Sequence, residues 1–225
     1  MMWRNFFPNN PYEAFDPTLF PDDLQGWGSD DPVFETIINF VKPSLIVEVG
    51  SWKGRSAVNM AKLCAAAGLS TQIVCIDTWL GSTEVYTRRE TEPESYQAMQ
   101  FKNGWPQLYY QFLANVVRHG LQEVITPLPQ TSATAARLLA HFQIVPDLVY
   151  IDASHEYNDV GPDIMSYLRL LRSGGVLFGD DYVYWEGVTQ AVHKVAERIQ
   201  HPFWGRPGKY AFIKGGDARL IPNIA

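Results

Sequence analysis

The sequence predicts a doubly wound α/β fold, with a mostly parallel sheet and helices on both of its faces. Short, unalternated apolar runs, each bounded by Gly, Pro or Asp, alternate along the chain with stretches of helical periodicity. Such runs are typical of strands buried on both faces of a parallel sheet. Their alternation with helices indicates βαβ units joined by right-handed crossovers.

The individual elements follow from the same patterns. The predicted strands are residues 45–49, 73–76, 123–126, 148–151, 176–178 and 210–213, of which 123–126 is the weakest. The predicted helices are residues 33–41, 56–67, 107–119, 134–141, 160–171 and 187–199, the first with Asp30 or Asp31 as N-cap. Residues 81–104 are polar and aperiodic, so we expect an insertion or a mobile loop beside the sheet.

Length and composition favour one large domain with a short appendage. The chain has 225 residues, of which 46% are hydrophobic, enough to bury a core. Residues 1–30 are rich in aromatics, prolines and acids without periodicity, which predicts an irregular arm that packs through its aromatics and covers a pocket. The domain itself is expected over residues 31–225.

Charge and cysteine content narrow the class of partner. The net charge of -6 disfavours nucleic acid, so a small molecule is the expected partner. Cys64 and Cys75 lie in apolar stretches without disulfide or zinc spacing, and both are expected in the core. No run of 18 apolar residues and no secretory cleavage signal is present, which predicts a cytoplasmic protein without membrane contact.

A glycine turn after the first strand is the first candidate site. The segment from Glu48 to Ser56 leaves a strand and opens a helix, where open α/β sheets bind nucleotide-like ligands. Gly50 allows a tight turn with positive φ, and Gly54 allows close approach of the ligand to the helix. Ser56 can bind a carboxylate there, such as an amino-acid tail. The alternative is an ordinary strand-to-helix turn.

The spacing of this turn bears on the cofactor. Dinucleotide sites use Gly-x-Gly-x-x-Gly, whereas this chain has Gly-x-x-x-Gly preceded by Glu48. A carboxylate there repels a diphosphate but attracts the amino group of S-adenosylmethionine (SAM), so a nicotinamide dehydrogenase fits less well. Asp77 ends the second strand, where its carboxylate can accept hydrogen bonds from ribose hydroxyls or cap a helix. Ser132 can reach an adenine edge or serve as a cap.

Three aspartates follow two neighbouring strands. Asp152 ends one strand, and Asp180 and Asp181 end the next. Three clustered carboxylates repel each other unless a cation is present, and oxygen-only ligands favour Mg²⁺. Mg²⁺ would lower the pKa of a bound hydroxyl and align it for reaction. His155 is suited to accept the proton, since its ordinary pKa is ~6.5, although a loop-pinning role is the alternative.

These motifs resemble a known family. Glu48-Val-Gly-Ser-Trp-Lys-Gly-Arg-Ser-Ala-Val-Asn-Met-Ala61 resembles the first SAM motif of catechol-type O-methyltransferases. The segments Ile76-Asp77-Thr78-Trp79, Ile151-Asp152-Ala-Ser-His155-Glu-Tyr157 and Gly174-Gly175-Val-Leu-Phe-Gly-Asp180-Asp181-Tyr182 are similar to those of bacterial macrolide-sugar and other natural-product O-methyltransferases. The chain thus resembles class I, metal-dependent small-molecule O-methyltransferases over about residues 33–215.

The resemblance implies a fold, an activity and a set of site residues. The fold is Rossmann-like, with seven strands of which the last, near 209–213, is antiparallel. The activity is methyl transfer from SAM to a hydroxyl of a small molecule, assisted by Mg²⁺. The implied cofactor contacts are Glu48, Gly50, Ser51, Gly54, Ser56, Asp77, Thr78, Trp79, Ser132 and Asp152. The implied metal ligands are Asp152, Asp180 and Asp181, and the candidate catalytic residues are His155 and Asp152.

Two departures and two alternatives accompany the resemblance. Catechol-type enzymes have a lysine in place of His155, so the identity of the catalytic base is left open. They have an asparagine in place of Asp181, and this change keeps an oxygen ligand for the metal. One alternative is a SAM-fold binding module without catalysis, which the intact acidic cluster disfavours because unneeded clustered charge is costly. The other is a metal-independent methyltransferase, in which Asp180 and Asp181 cap a loop.

Aromatic residues outside the shared core bear on the acceptor. Trp3, Trp27, Tyr86 and Trp105 lie in segments that match no motif. Their side chains suit an apolar or ring-bearing acceptor. They are equally compatible with an interface in a homo-oligomer.

Overall fold

The computed structural model describes residues 2–224 and contains a seven-stranded sheet. The strands are β1 Leu45–Val49, β2 Gln72–Asp77, β3 Ile125–Pro129, β4 Leu148–Ile151, β5 Val176–Asp180, β6 Trp204–Arg206 and β7 Lys209–Ile213. They lie in the order β3-β2-β1-β4-β5-β7-β6. Strands β1 to β5 pair in parallel, and β7 is antiparallel to β5 and β6. The predicted fold class, with its antiparallel last strand, is confirmed.

Helices cover both faces of this sheet. They are α1 Val33–Val41, α2 Arg55–Ala66, α3 Thr83–Thr87, α4 Pro93–Gln97, α5 Leu108–Arg118, α6 Ser132–His141, α7 Tyr157–Leu170 and α8 Glu186–Ile199. On β1, Ile46 faces the core that contains α1, α2 and α5, and Val47 faces the core that contains α6, α7 and α8. Both side chains are buried, which explains the unalternated apolar runs. Across residues 2–224, no helix is both long and apolar enough to cross a membrane.

The structure departs from the sequence prediction at the two sheet edges and in one loop. Strand β3 begins two residues later than predicted and contains Pro127 and Pro129. It is an edge strand, where the missing N–H of proline is tolerated. The three-residue strand β6 lies in a segment predicted as loop. The 81–104 segment contains the short helices α3 and α4 instead of being wholly irregular.

Side chains of the domain hold the N-terminal arm, residues 2–30, against α2 and α5. The arm contains only two short 3₁₀ helices, at Met2–Asn5 and Pro17–Leu19. Lys53 pairs with Asp23 at 2.5 Å, and Asn115 donates to the carbonyl oxygen of Asp23 at 2.8 Å. The Phe15 and Phe20 rings stack with Tyr110. The arm therefore packs through its aromatics, and residues 25–29 end at the carboxyl edge of the sheet.

The carboxyl ends of β1 and β4 form the point where the sheet order reverses. These strands are neighbours, and the chain leaves them towards opposite sides of the sheet. A crevice at such a point is the usual ligand site of open α/β sheets. The Gly50 amide donates to the Ile76 carbonyl at 2.8 Å, and the Asp152 amide donates to that of Val49 at 2.8 Å. The predicted site residues therefore meet at this edge.

Candidate active site

A cavity of about 560 Å³ opens at the carboxyl edge of the sheet. Its wall includes ten predicted site residues: Gly50, Ser51, Ser56, Asp77, Thr78, Ser132, Asp152, His155, Asp180 and Asp181. Three other predicted residues, Glu48, Gly54 and Trp79, lie behind this wall. The arm contributes Trp27, and the 81–104 segment contributes Glu84 and Arg88.

The glycine turn brings two backbones together. Gly50 has φ +85°, and a Cβ there would lie 1.9 Å from the carbonyl oxygen of Asp152. Only glycine allows this approach of the first turn to the end of β4. Gly54 also has a positive φ, but an added Cβ would meet the Phe112 ring at 3.0 Å. Gly54 is thus required by packing against α5 as well as by its own backbone conformation.

Glu48 is buried directly beneath the turn. Its Oε2 accepts from the Ser51 hydroxyl at 2.6 Å, and its Oε1 accepts from the Ser56 hydroxyl at 2.5 Å. Burial raises the pKa of Glu48 in spite of these hydrogen bonds. The carboxylate that Ser56 binds is therefore that of Glu48, and Glu48 acts on the cavity through the two serines that it orients.

Asp77 stabilises the same turn from the end of β2. Its Oδ2 accepts from the amides of Ser51 and Trp52, each at 2.9 Å, and its Oδ1 accepts from the amide of Trp79 at 2.7 Å. Burial raises the pKa of Asp77, while the amide hydrogen bonds oppose that rise. The carboxylate still lines the cavity. Trp79 packs its ring against Phe112, which explains its place behind the wall.

The loop after β3 holds Ser132 and its neighbour Gln130 at the cavity. Thr131 is the N-cap of α6 and accepts from the amide of Thr134, so one hydroxyl of this loop is a cap. The Ser132 hydroxyl donates to Asp163 of α7. Burial raises the pKa of Asp163 to about 6. Gln130, which sequence reasoning missed, lines the cavity beside Ser132.

The three aspartates at the ends of β4 and β5 are held by partners from the protein. The Tyr150 hydroxyl lies 3.1 Å from Asp152 Oδ2 and 3.0 Å from Asp180 Oδ2. The ammonium of Lys209 donates to Asp180 Oδ2, and the amide of Asp181 donates to Asp180 Oδ1 at 2.8 Å. Burial, followed by the charges of Asp180 and Asp181, raises the pKa of Asp152.

His155 lies between two carboxylates. Its Nε2 is 2.9 Å from Asp181 Oδ2, and its Nδ1 is 3.4 Å from Glu84 Oε1. The imidazole stacks on Trp185 at 4.1 Å, and Arg88 lies over the same indole at 4.5 Å. Burial lowers the pKa of His155, but Asp181 and Glu84 outweigh burial and raise it to about 10. The imidazole is therefore protonated at neutral pH.

The aspartate cluster does not fit a magnesium ion. Magnesium needs near-octahedral oxygen ligands at roughly 2.0–2.1 Å. Here Lys209 and Tyr150 contact one oxygen of Asp180, and the Asp181 amide contacts the other. The described residues include no group of three or more Asp, Glu, His or Cys side chains placed to hold a metal. The predicted site at Asp152, Asp180 and Asp181 thus lacks support, because Lys209 and His155 supply the positive charge.

The family of the chain follows from its sequence over this same region. The family model described as a methyltransferase domain matches residues 47–182, more than half of the 225 residues. The chain belongs to this methyltransferase family. The match begins within β1 and ends just after Asp181, so it includes every predicted site residue of the methyltransferase.

Solved structures share the fold of this methyltransferase. The O-methyltransferase of Bacillus cereus, crystallised with S-adenosylhomocysteine (SAH), is 16% identical and has a TM-score of 0.56, with 88% of this chain and 85% of that chain covered. TomG of Streptomyces achromogenes, an O-methyltransferase of tomaymycin synthesis crystallised with SAM, is 14% identical with a TM-score of 0.59 over 86% and 83%. CalS11, a calicheamicin methyltransferase, is 22% identical with a TM-score of 0.57 over 83% and 77%.

A curated relative extends well beyond this chain. The uncharacterized protein y4gI of Sinorhizobium fredii (strain NBRC 101917 / NGR234) is 25% identical over 201 residues. That alignment covers 83% of this methyltransferase but 20% of the relative. The chain therefore spans about a fifth of the length of that relative.

Proposed function

We propose that this methyltransferase transfers a methyl group from SAM to a hydroxyl of a small molecule, and that it does so without a metal ion. The observation that carries this proposal is the charge of the cavity. Six carboxyl side chains line it, those of Asp77, Glu84, Glu92, Asp152, Asp180 and Asp181, against three cationic side chains, Arg55, Arg88 and the protonated His155. Such a wall favours a cationic sulfonium and disfavours the diphosphate of a nicotinamide cofactor.

The glycine turn and the strand ends provide matching subsites for SAM. The methionine end would lie at Gly50, Ser51 and Ser56, where Gly50 leaves room and the serine hydroxyls are held by Glu48. The ribose would lie at Asp77 and Thr78, and the adenine at Ser132 and Gln130. The described neighbours crystallised with SAH and SAM share this fold, which supports the assignment.

The acceptor would enter beside the arm. The Trp27 and Trp52 rings, 6.2 Å apart, line the cavity, and Trp185 lines it beside His155. Indole walls bind apolar and ring-bearing molecules, so the arm acts as a lid for such an acceptor. The named neighbours in tomaymycin and calicheamicin chemistry support a natural product as the acceptor class.

The reaction needs positioning and one proton acceptor. Bound SAM supplies a methyl group whose bond to sulfur breaks as the bond to the acceptor oxygen forms, leaving SAH and a methyl ether. The walls would hold the hydroxyl in line with that methyl group, and such positioning can supply a large part of the rate gain of a displacement. His155, once neutral, accepts the hydroxyl proton, and Asp181 stabilises the imidazolium that forms. Asp152, linked to Tyr150, orients this edge of the cavity.

Calorimetric titration of the purified protein with SAH tests the cofactor. We expect saturable SAH binding and no binding of NAD at the same concentration. Binding of NAD alone would contradict the proposal. Transfer of label from methyl-tritiated SAM to a panel of phenols, sugars and polyketides then identifies the acceptor, and the position of the label on oxygen or elsewhere tests O-methylation.

A further inference from the structure

Lys209 is buried in the acidic cluster. It is the first residue of β7 and pairs in the antiparallel register with Asp180, the last residue of β5. Its side chain is 2% exposed, and its ammonium contacts Asp180. The ammonium also lies 5.6 Å from the centre of the Phe34 ring and 5.9 Å from that of Tyr150. Carboxylate and aromatic faces are the surroundings that stabilise a buried cation.

The arm closes the space around this ion pair. A Cβ added at Gly28 would lie 2.9 Å from Asp180 Oδ2 and 3.2 Å from the Lys209 ammonium. A second cation at Asp180 would therefore meet the arm backbone on one side and the ammonium on the other. Two cations on one carboxylate oxygen also repel each other strongly where water is excluded.

The Tyr150 hydroxyl connects the carboxylate of Asp180 to that of Asp152. Its hydroxyl lies within 3.1 Å of an oxygen of each carboxylate, and its ring is fully buried between Phe34 and Phe178. The lysine therefore neutralises one acid and, through Tyr150, orients a second. A divalent cation bridging these carboxylates would perform the same two tasks.

We infer that Lys209 is a positioning residue that takes the place of a divalent cation in this site. The inference deepens the proposed methyl transfer, since it assigns the origin of metal independence to one side chain. The lysine holds the aspartates at the cavity edge without touching the reacting oxygen. Metal ions and the ammonium then compete for the same carboxylate, so removal of the ammonium opens a metal site.

Mn²⁺ binding, followed by electron paramagnetic resonance, tests this inference. We expect wild-type protein to bind Mn²⁺ weakly and Lys209→Ala to bind it at least about tenfold more tightly, because the competing positive charge is gone. Adding Asp180→Asn to Lys209→Ala is expected to abolish the gain. The matched control is Lys214→Ala, which removes a lysine next to β7 whose ammonium donates to the carbonyl oxygens of Arg169 and Leu171.

Two results would overturn the inference. One is micromolar Mn²⁺ binding by wild-type protein that Asp180→Asn removes. The other is a folded Lys209→Ala variant that gains no Mn²⁺ affinity. Because removing one partner of a buried ion pair destabilises a protein, circular dichroism is used to verify that Lys209→Ala folds. If that variant does not fold, Mn²⁺ titration of the wild-type protein still tests the inference. SAH titration of the same samples separates failure of this inference from failure of the proposed cofactor.

Discussion

Asp77 has two tasks, and Asp77→Ala removes both. It binds three backbone amides and also lines the cavity. We expect Asp77→Ala to weaken SAH binding at least tenfold, since a hydrogen bond to a charged group contributes about 1.5–3 kcal/mol. Calorimetry gives the change in Kd. Unchanged SAH affinity in the folded variant would contradict the ribose assignment.

Asp147 provides the matched control for this variant. It also accepts from two backbone amides, those of Ser44 at 2.8 Å and Leu45 at 3.0 Å, but at the opposite end of the sheet. Asp147→Ala is therefore expected to lower the free energy of unfolding without changing the Kd for SAH.

Glu84 sets the pH at which His155 can act as a base. Because the pKa of His155 is raised to about 10, the neutral imidazole becomes common only at alkaline pH, so turnover is expected to rise with pH. Glu84→Gln removes one of the two carboxylates, which corresponds to roughly one to two pKa units for an opposite charge this close to the imidazole. The rise should move to lower pH in the pH–rate profile, and ring NMR should report the same shift.

The control for Glu84 is Glu92→Gln, which removes another acid of the cavity wall that pairs with Arg88 instead. Its pH–rate profile should match wild type. A Glu84→Gln profile that also matches wild type would rule out His155 as the base. The free energy of unfolding is expected to change with pH in the opposite direction to turnover. Because folding raises the pKa of His155 from 6.5 to about 10, the contacts of the protonated imidazole stabilise the fold fully below about pH 6.5. That contribution is lost as the pH rises through about 10.

Single residues differ in how well sequence patterns reveal them. Gly50, Asp77 and the three aspartates follow apolar runs, so their place at the carboxyl edge of a parallel sheet was predictable. Lys209 and Glu84 were not, because their partners lie 29 and 71 residues away in the chain. A lysine at the head of the apolar run Tyr210-Ala211-Phe212-Ile213 is the one local signal that Lys209 carries.

At the scale of elements, the β1–α2 turn leaves no room for a side chain at Gly50. Gly50→Ala adds a Cβ that would lie 1.9 Å from a backbone oxygen at a positive φ of 85°. We expect a loss of more than about 2 kcal/mol in the free energy of unfolding, since left-handed strain alone costs about 1–2 kcal/mol. Urea unfolding measures the loss.

Gly68→Ala is the matched control for this glycine. Gly68 also has a positive φ, of 71°, but no atom lies within 4 Å of an added Cβ. Only the left-handed strain of about 1–2 kcal/mol should therefore appear. Equal losses in the two variants would contradict the close approach of the turn to β4.

Elements were predicted best where burial on two faces dictates composition. Strands β1, β2, β4 and β5 are central, so their positions are apolar apart from Glu48, Gln72 and the aspartates that end β2 and β5, and the boundaries agree within two residues. Strand β6 has only partial burial and three residues, which leaves no pattern to detect. Helices α3 and α4 have no buried residues, so their sequences show no amphipathic period.

At the scale of the whole molecule, the arm and the domain depend on each other through Lys53. This side chain is 1% exposed and reaches Asp23 at 2.5 Å and Gln25 Oε1 at 3.0 Å. We expect Lys53→Met to increase chymotryptic cleavage after Trp27, which is 61% exposed, by roughly tenfold, the effect of about 1.4 kcal/mol in opening of the arm.

Lys62→Met controls for this change, since Lys62 is an exposed lysine of α2. Its cleavage rate should equal that of wild type. Equal rates for Lys53→Met and wild type would show that Lys53 does not hold the arm. Bound SAH should slow cleavage in the wild type if the arm covers the occupied cavity.

The Lys209–Asp180 pair has a consequence for the choice of acceptor. The Lys209 ammonium is covalently part of the protein, so it cannot dissociate and need not be supplied from solution. The site is therefore complete once the protein has folded. We expect chelators and metal-free buffers to leave it intact. Because Gly28 shields Lys209, its ammonium also cannot bind two adjacent oxygens of an acceptor, whereas a bridging metal ion can. We therefore expect no preference for vicinal diols among acceptors, so that a molecule with a single hydroxyl is methylated as well.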